Sequence, residues 1–253
     1  MEYDFQRASM LKRMMAWLLD LIMIVTLAVG CMWGISTFVN IEPDWNTVSA
    51  AIDKYEAQFG GPLSPTASEY EQMTAEQKAQ ADEISRQINE ALFQDQEASH
   101  AYAMVINKAL IIVSLGFLLS FLLWEFLIPL MFKNGQTLGK KCFGIALMRK
   151  DGVKVTPFMM FARAILGKCT VETLLPVMIL MTFFSSFGLL LSAGFLIAQI
   201  VIPLATRNKT AIHDLMACTV AVDLSSQMIF DSPEEMVEYH KRIHEEIANK
   251  ADY

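Results

Sequence analysis

Apolar residues fall in three long runs, near 14–39, 106–132 and 171–205. Each is long enough to cross a bilayer, which takes about 20 predominantly apolar residues in a helix. The third run exceeds one straight span and just accommodates two short ones. Phe183-Phe184-Ser185-Ser186-Phe187-Gly188 offers a turn in its middle. The pattern predicts an α-helical polytopic membrane protein with about four transmembrane helices. The alternative is three, with one long tilted helix as the last.

Polar residues inside these runs change the picture. Arg13, Trp17 and Asp20 are spaced i, i+4, i+7, so on a helix they share one face. Asp20 lies roughly 10 Å deeper than Arg13 at 1.5 Å per residue. A carboxylate inside a span is costly and is usually kept there by a function or a specific partner. The competing reading leaves Asp20 wet among the cytoplasmic headgroups. In the second run, Trp124 and Pro129 lie towards the cytoplasmic end, and Glu125 sits about two turns before Lys133. Glutamate reaches less far than lysine, which favours a polar interior over snorkelling. Glu172 opens the third run.

Charge is segregated along the chain, and this sets an orientation. Residues 40–105 hold 12 acidic and 3 basic residues, whereas 133–168 hold 8 basic and 1 acidic. Lys and Arg mark the cytoplasmic side, so 133–168 is expected inside and the acidic block outside. Residues 1–39 then form a cytoplasmic lead and first span. Residues 40–105 read as an acidic extracytoplasmic helical insertion. Asp44 is a candidate cap for a helix to about Phe59, with Val48, Ile52, Tyr55 and Phe59 as its stripe. Thr74 and Gln77 form a capping-box pattern before a second helix carrying Ile84, Ile88 and Leu92.

Residues 106–132 return to the inside. In 133–170, Phe143–Met148 and Val153–Val155 flank Asp151-Gly152, predicting a small basic cytoplasmic β-hairpin that faces anionic lipid, followed by an interfacial helix with Arg163 and Lys168. Residues 171–205 form the helical hairpin, and Arg207 and Lys209 after it suggest that it ends inside. The segment 206–224 contains His213-Asp214 and a β-prone run that can extend the hairpin. Residues 225–253 read as a charged cytoplasmic helix started by Ser232-Pro233-Glu234-Glu235.

Several chemistries are excluded at this level. Cys31, Cys142, Cys169 and Cys218 show no paired spacing, so neither a disulfide nor a zinc site is expected. Asp20 interrupts the first run, which argues against a cleaved signal peptide. Gly135-Gln136-Thr137-Leu138-Gly139-Lys140-Lys141 lacks the glycine spacing and the Ser/Thr of a phosphate loop. His240 and His244 stand at i, i+4 but on a highly charged helix, where a solvated surface is the better reading. No catalytic residue, metal or cofactor is expected. The basic loop lies nearer to lipid headgroups than to any nucleic acid.

Three motifs together resemble the RDD family of bacterial membrane proteins, named for an arginine and two aspartates. The first is R-x-x-A-x-x-x-D, here Arg13, Ala16 and Asp20. The second is G-x-T-x-G-K-x-x-x-G-I, here Gly135, Thr137, Gly139, Lys140, Gly144 and Ile145, followed by Asp151-Gly152 and the later Arg163. The third is H-D-L-x-A-x-T-x-V, here His213, Asp214, Leu215, Ala217 and Thr219, with Ala221 in place of the final valine. The resemblance maps the family's signature to Arg13, Asp20 and Asp214. The insertion at 40–105 and the tail after Leu224 lie outside the pattern. The resemblance implies a role in transport for some members, including cation/proton exchange, and a place in the bacterial cytoplasmic membrane, here with the N-terminus inside.

Two functions are compatible with these residues. One is a small homo-oligomeric transporter of a monovalent cation, a proton or a small solute, with Asp20 as the titrating group and Asp214 paired to Arg13 or Arg163. The other is a non-catalytic scaffold or accessory subunit, in which Arg13, Asp20, Arg163 and Asp214 form a structural ion-pair network. Glu125 and Glu172 are further candidate carboxylates in or beside the spans.

Overall fold

A computed structural model describes residues 7–132, 134–182, 186–206 and 210–251. Lys133, Phe183 to Ser185, Arg207 and Lys209 lie outside the described residues, so most of the expected inter-span turn and both basic residues after it do too. The helices are, in order, α1 (Met10–Ser36), α2 (Glu42–Phe59), α3 (Ala67–Gln72), α4 (Ala75–Gln94) and α5 (Gln96–Phe121). A π-helical stretch, Leu122–Leu127, joins α5 to α6 (Ile128–Met131). Next come α7 (Leu138–Cys142), β1 (Ile145–Arg149) and α8 (Pro157–Phe161). A longer π-helical stretch, Ala162–Leu174, joins α8 to α9 (Leu175–Thr182). Then follow α10 (Ser186–Ala205), α11 (Ile212–Met216), β2 (Thr219–Asp223) and α12 (Pro233–Ala251). Three helices are long and apolar enough to cross a membrane: Met10–Ser36, Gln96–Met131 and Ser186–Ala205.

The chain divides into two compact units. One, residues 33–113, is built on α2 packed against α4. Val48 and Ile88 are its buried contacts, as the stripes predict. Thr74 and Gln77 form the expected capping box, and Thr66 with Glu69 forms a second one on α3. Asp44 does not cap α2, which begins at Glu42 with Pro43 in its first turn. Asp44 instead accepts a 2.5 Å hydrogen bond from Lys108 Nζ, which also donates to the Asn40 carbonyl at 2.7 Å. That pairing removes the only basic charge from the apolar part of α5.

The other unit, residues 7–32 and 114–251, holds the remaining helices and the sheet. Here α9 and α10 run antiparallel: Gln199 Nε2 donates to the Glu172 carbonyl at 2.7 Å and Ser192 Oγ to the Pro176 carbonyl at 3.0 Å. Gly116 on α5 has no side chain to keep Met32 of α1 away, so the two helices meet closely there. Ser120 Oγ adds a 2.7 Å bond to the Ile24 carbonyl of α1.

The sheet departs from the hairpin read in the sequence. The turn at Arg149 to Gly152 forms, with Gly152 at φ +87°, but Val153–Val155 contributes only isolated bridges. The ladder partner of β1 is β2, antiparallel, from Ile145↔Asp223 to Arg149↔Thr219. Burial explains the choice. Ala146, Met148, Val220 and Val222 pack together on one face, and Ile145, Leu147 and Ala221 join Ala8, Ala16, Val155 and Met160 on the other. A strand buried on both faces needs an equally apolar partner, and Thr219–Asp223 supplies it. The lead reaches the same sheet, with Ala8 N–H donating to the Ala221 carbonyl at 3.4 Å.

The ladder makes a sharp prediction. Leu147 N–H donates to Asn134 and Ala221 accepts from Ala8, so Leu147 and Ala221 face each other as a non-hydrogen-bonded pair, the closer kind. With the four native cysteines replaced, Leu147→Cys with Ala221→Cys should oxidise to a disulfide, read as a mobility shift on a non-reducing gel. Leu147→Cys with Asp223→Cys, two residues out of register, should not.

Candidate functional site

The buried face of α1 is Ala16, Asp20, Ile24 and Ala28, a strict i+4 row. Arg13 adjoins this row, but Trp17, expected on the same face, is 56% exposed and points outward. The small Ala16 lets α7 approach instead. Asp20 is 2% exposed, so the wet-headgroup reading of its position fails. Its Oδ1 accepts from Trp124 Nε1 and from the Gly139 amide, both at 3.0 Å. Its Oδ2 accepts from Thr137 Oγ1 at 2.5 Å and lies 3.6 Å from Lys140 Nζ. A Cβ on Gly139 would stand 2.7 Å from Asp20 Oδ1, so only glycine allows this cradle. Thr137 caps α7 and bonds Asp20 with the same hydroxyl. Gly135 and Gly144 take left-handed φ values of +63° and +64° on either side of α7. The second motif is thus a loop shaped to wrap one carboxylate.

Glu125 is the hub of a second cluster and is 3% exposed. Lys140 Nζ is 3.4 Å from its Oε2 and Arg163 Nη1 is 3.9 Å away, while Lys168 Nζ bonds its Oε1. The π-helical backbone makes this possible. Arg163 and Lys168 are five residues apart, which on an α-helix rotates them about 140° from each other. The i→i+5 pattern of a π-helix stacks such residues on one face. Lys168, read from the sequence as interfacial, is buried for this reason. A stretch of π-helix at Leu122–Leu127 likewise presents both Trp124 and Glu125 inward.

Asp214 forms the third centre, at 0% exposure. Arg163 Nε donates to its Oδ1 at 2.7 Å, Thr219 Oγ1 donates to Oδ1 at 3.1 Å, and Arg13 Nη2 is 3.5 Å from Oδ2. Both arginines considered as its partner are therefore engaged. Burial alone would raise the Asp214 carboxyl, but the charge of Arg163, with its hydrogen bond, and that of Arg13 overcome this and hold it well below the usual carboxylate range. His213 Nδ1 lies 2.8 and 3.0 Å from the two Glu172 oxygens, and its backbone N–H donates to Glu172 at 3.0 Å. Burial lowers the His213 pKa, so the ring is neutral at pH 7 and donates its Nδ1 proton to Glu172. Gly167 has no side chain where His213 sits, which lets α11 press against the π-helix.

A family model described as the RDD family matches residues 7–218. The chain belongs to the RDD family. No curated protein and no solved structure matches it. The charges that the resemblance assigns to the family signature fall in two places. Arg13 and Asp214 meet directly, while Asp20 is held by Thr137, Gly139, Trp124 and Lys140. Glu125 connects the two places through Lys140 and Arg163. Among the described residues, four carboxylates (Asp20, Glu125, Glu172, Asp214) share the network with four basic side chains (Arg13, Lys140, Arg163, Lys168). No buried side-chain nitrogen or oxygen among them lacks a hydrogen-bond partner. Trp124 and Lys168 went unrecognised as partners in the sequence. The signal for Trp124 was its place beside an intramembrane glutamate; for Lys168 no periodic signal exists, because its helix is not an α-helix.

Two measurements test the network. Glu125→Gln leaves Lys140, Lys168 and Arg163 facing one another without their anion, and removing one partner of a buried pair costs about 3–5 kcal/mol. Adding Lys168→Met should restore part of that loss, measured as detergent-solubilised thermal stability in a double-mutant cycle. The second concerns Lys140. Burial, working against Glu125, lowers its pKa to about 8. Between pH 8 and the ordinary lysine value of about 10.4, the unfolded chain holds this proton and the folded chain does not, so stability rises with pH across that window. Lys140→Met should flatten that rise in a pH series of melts.

Proposed function

We propose that this RDD protein is a four-crossing protein of the bacterial cytoplasmic membrane, with its N-terminus inside, and that its charge network is a structural clasp. It acts as a scaffold or accessory subunit rather than as an enzyme. The observation that carries this reading is the closed pairing of the network: each buried carboxylate is engaged by fixed donors of the same chain. The clasp ties α1, the α5–α6 helix and the α8–α9 helix to the loop and strands that follow them. The topology is supported by the sheet, where residue 8, just before α1, meets β1, which lies between α6 and α8, and β2, which follows α10 and α11. Lys12, Lys141, Arg149, Lys150 and Lys154 belong to that side, in keeping with a cytoplasmic location.

A second reading is cation/proton exchange by a homo-oligomer, since four crossings are few for a complete path. One observation favours it. Lys140, whose pKa burial lowers to about 8, stands between Glu125 and Asp20, so a single proton lost there changes the charge facing two carboxylates. Asp20 itself is held by three hydrogen bonds, from Trp124, Gly139 and Thr137, with Lys140 Nζ at 3.6 Å.

Liposomes holding only the purified protein decide between these readings. We expect no proton-coupled flux of Na⁺, K⁺ or Li⁺ from the wild type, and a parallel fall in protein level for Asp20→Asn and Arg13→Gln. Gentle purification should bring down a stoichiometric partner. Flux in the wild type that disappears in a folded Asp20→Asn or Lys140→Met protein would overturn the scaffold reading.

A further inference from the structure

We propose that the cleft between the β1 turn and α8 is a binding site for the headgroup of an anionic phospholipid. The cleft is lined by Arg149, Lys150, Asp151, Met159 and Cys218. Three separate segments build it: the turn after β1, the middle of α8, and the residue that leads into β2. Cys218 takes a left-handed φ of +53°, which swings the chain from α11 into the strand and forms one wall. Arg149 is held by Asp151 Oδ2 at 2.6 Å, and the lining carries one net positive charge. An anion entering the cleft meets Arg149 and Lys150 while Asp151 keeps the guanidinium in place.

The walls themselves point to lipid rather than to a soluble anion. Phe158, beside Met159 on α8, is 77% exposed. Leu215 and Met216, at the end of α11 shortly before Cys218, are 42% and 46% exposed. These residues stand on short helices that adjoin the membrane-embedded core, one of them continuous with α9. Large exposed apolar side chains on and beside the segments that build a cationic cleft match the two ends of a phospholipid: a phosphodiester on Arg149 and Lys150, acyl chain along Phe158 and Leu215. The same shoulders would be a liability beside bulk water. Of the other basic residues in the loop, Lys140, Arg163 and Lys168 are turned inward to Glu125 and Asp214, Lys154 pairs with Asp231, and Lys141 lies over the Phe132 ring. This inference rests on the membrane placement proposed above and not on whether the charge network is structural.

The test is native mass spectrometry of the purified full-length protein in non-ionic detergent, titrated with phosphatidylglycerol or phosphatidylcholine. The wild type should bind phosphatidylglycerol in preference. Near an anionic headgroup each basic residue is worth about fivefold in affinity, so Lys150→Gln should weaken binding about fivefold and Arg149→Gln with Lys150→Gln about 30-fold at low salt. Lys154→Gln, a control outside the cleft, should leave affinity unchanged, and Phe158→Ser should weaken it. Because Lys150 sits at an exposed turn, its single variant keeps the test readable should the double variant fold poorly. Equal loss in Lys154→Gln would mean diffuse surface charge and would overturn the site. Retained preference in the double variant would overturn it as well. Displacement of the lipid by low-millimolar inorganic phosphate would show a free-anion site and overturn the lipid assignment.

Discussion

Everything in the larger unit depends on keeping the Glu125 carboxylate ionised where water is scarce. Three cations from two other segments surround it, and two of them touch a second acid: Lys140 reaches Asp20 and Arg163 reaches Asp214, while Lys168 completes the shell. Isolated, any one of these charges would carry a desolvation penalty of several kcal/mol. Together they form a chain of alternating sign in which each group is the other's solvent. The two π-helical stretches exist at the points where this chain crosses the α5–α6 and α8–α9 helices, and wide turns of this kind are frequent where a helix carries functional side chains.

Much of this was legible in the sequence and some was not, for physical reasons. The apolar runs and the buried stripes of α2 and α4 follow from period and length, the Thr74 capping box from a local motif, and the inward glutamate at position 125 from its short reach. The conserved geometry of an α-helix also related Arg13 to Asp20 correctly, yet it gave Trp17 the wrong side, because helix packing follows the narrow Ala16–Asp20–Ile24–Ala28 row. The strand partner of β1 was misjudged because a tight turn at Asp151-Gly152 is a local signal, whereas burial on both faces is a global one. Lys168 was unreadable because the helical period changes locally, and nothing in the side-chain pattern announces the change.

The charge count that sets orientation also looks different once side chains are placed. Of the basic residues in 133–168, Lys140, Arg163 and Lys168 are buried and neutralised within the protein. The positive-inside signal therefore rests on fewer surface residues than the sequence suggests, chiefly Lys141, Arg149, Lys150 and Lys154. The rest of the basic excess is internal chemistry that happens to lie on the same side. A sequence rule based on loop charge and a structural rule based on ion pairs thus draw on the same residues for different ends.

The cradle around Asp20 has a consequence for how the protein is made. Its donors Thr137 and Gly139 lie 117 and 119 residues further along the chain. At a synthesis rate of about 5–20 residues per second, α1 emerges roughly 6–24 s before the loop that neutralises its aspartate. During that interval the nascent helix carries an orphan carboxylate in or beside the lipid. The first span is then a provisional membrane segment, and its seat becomes final only when the loop of Thr137 and Gly139 closes over it. Assembly of this family member thus runs from a later segment of the chain back to its first helix.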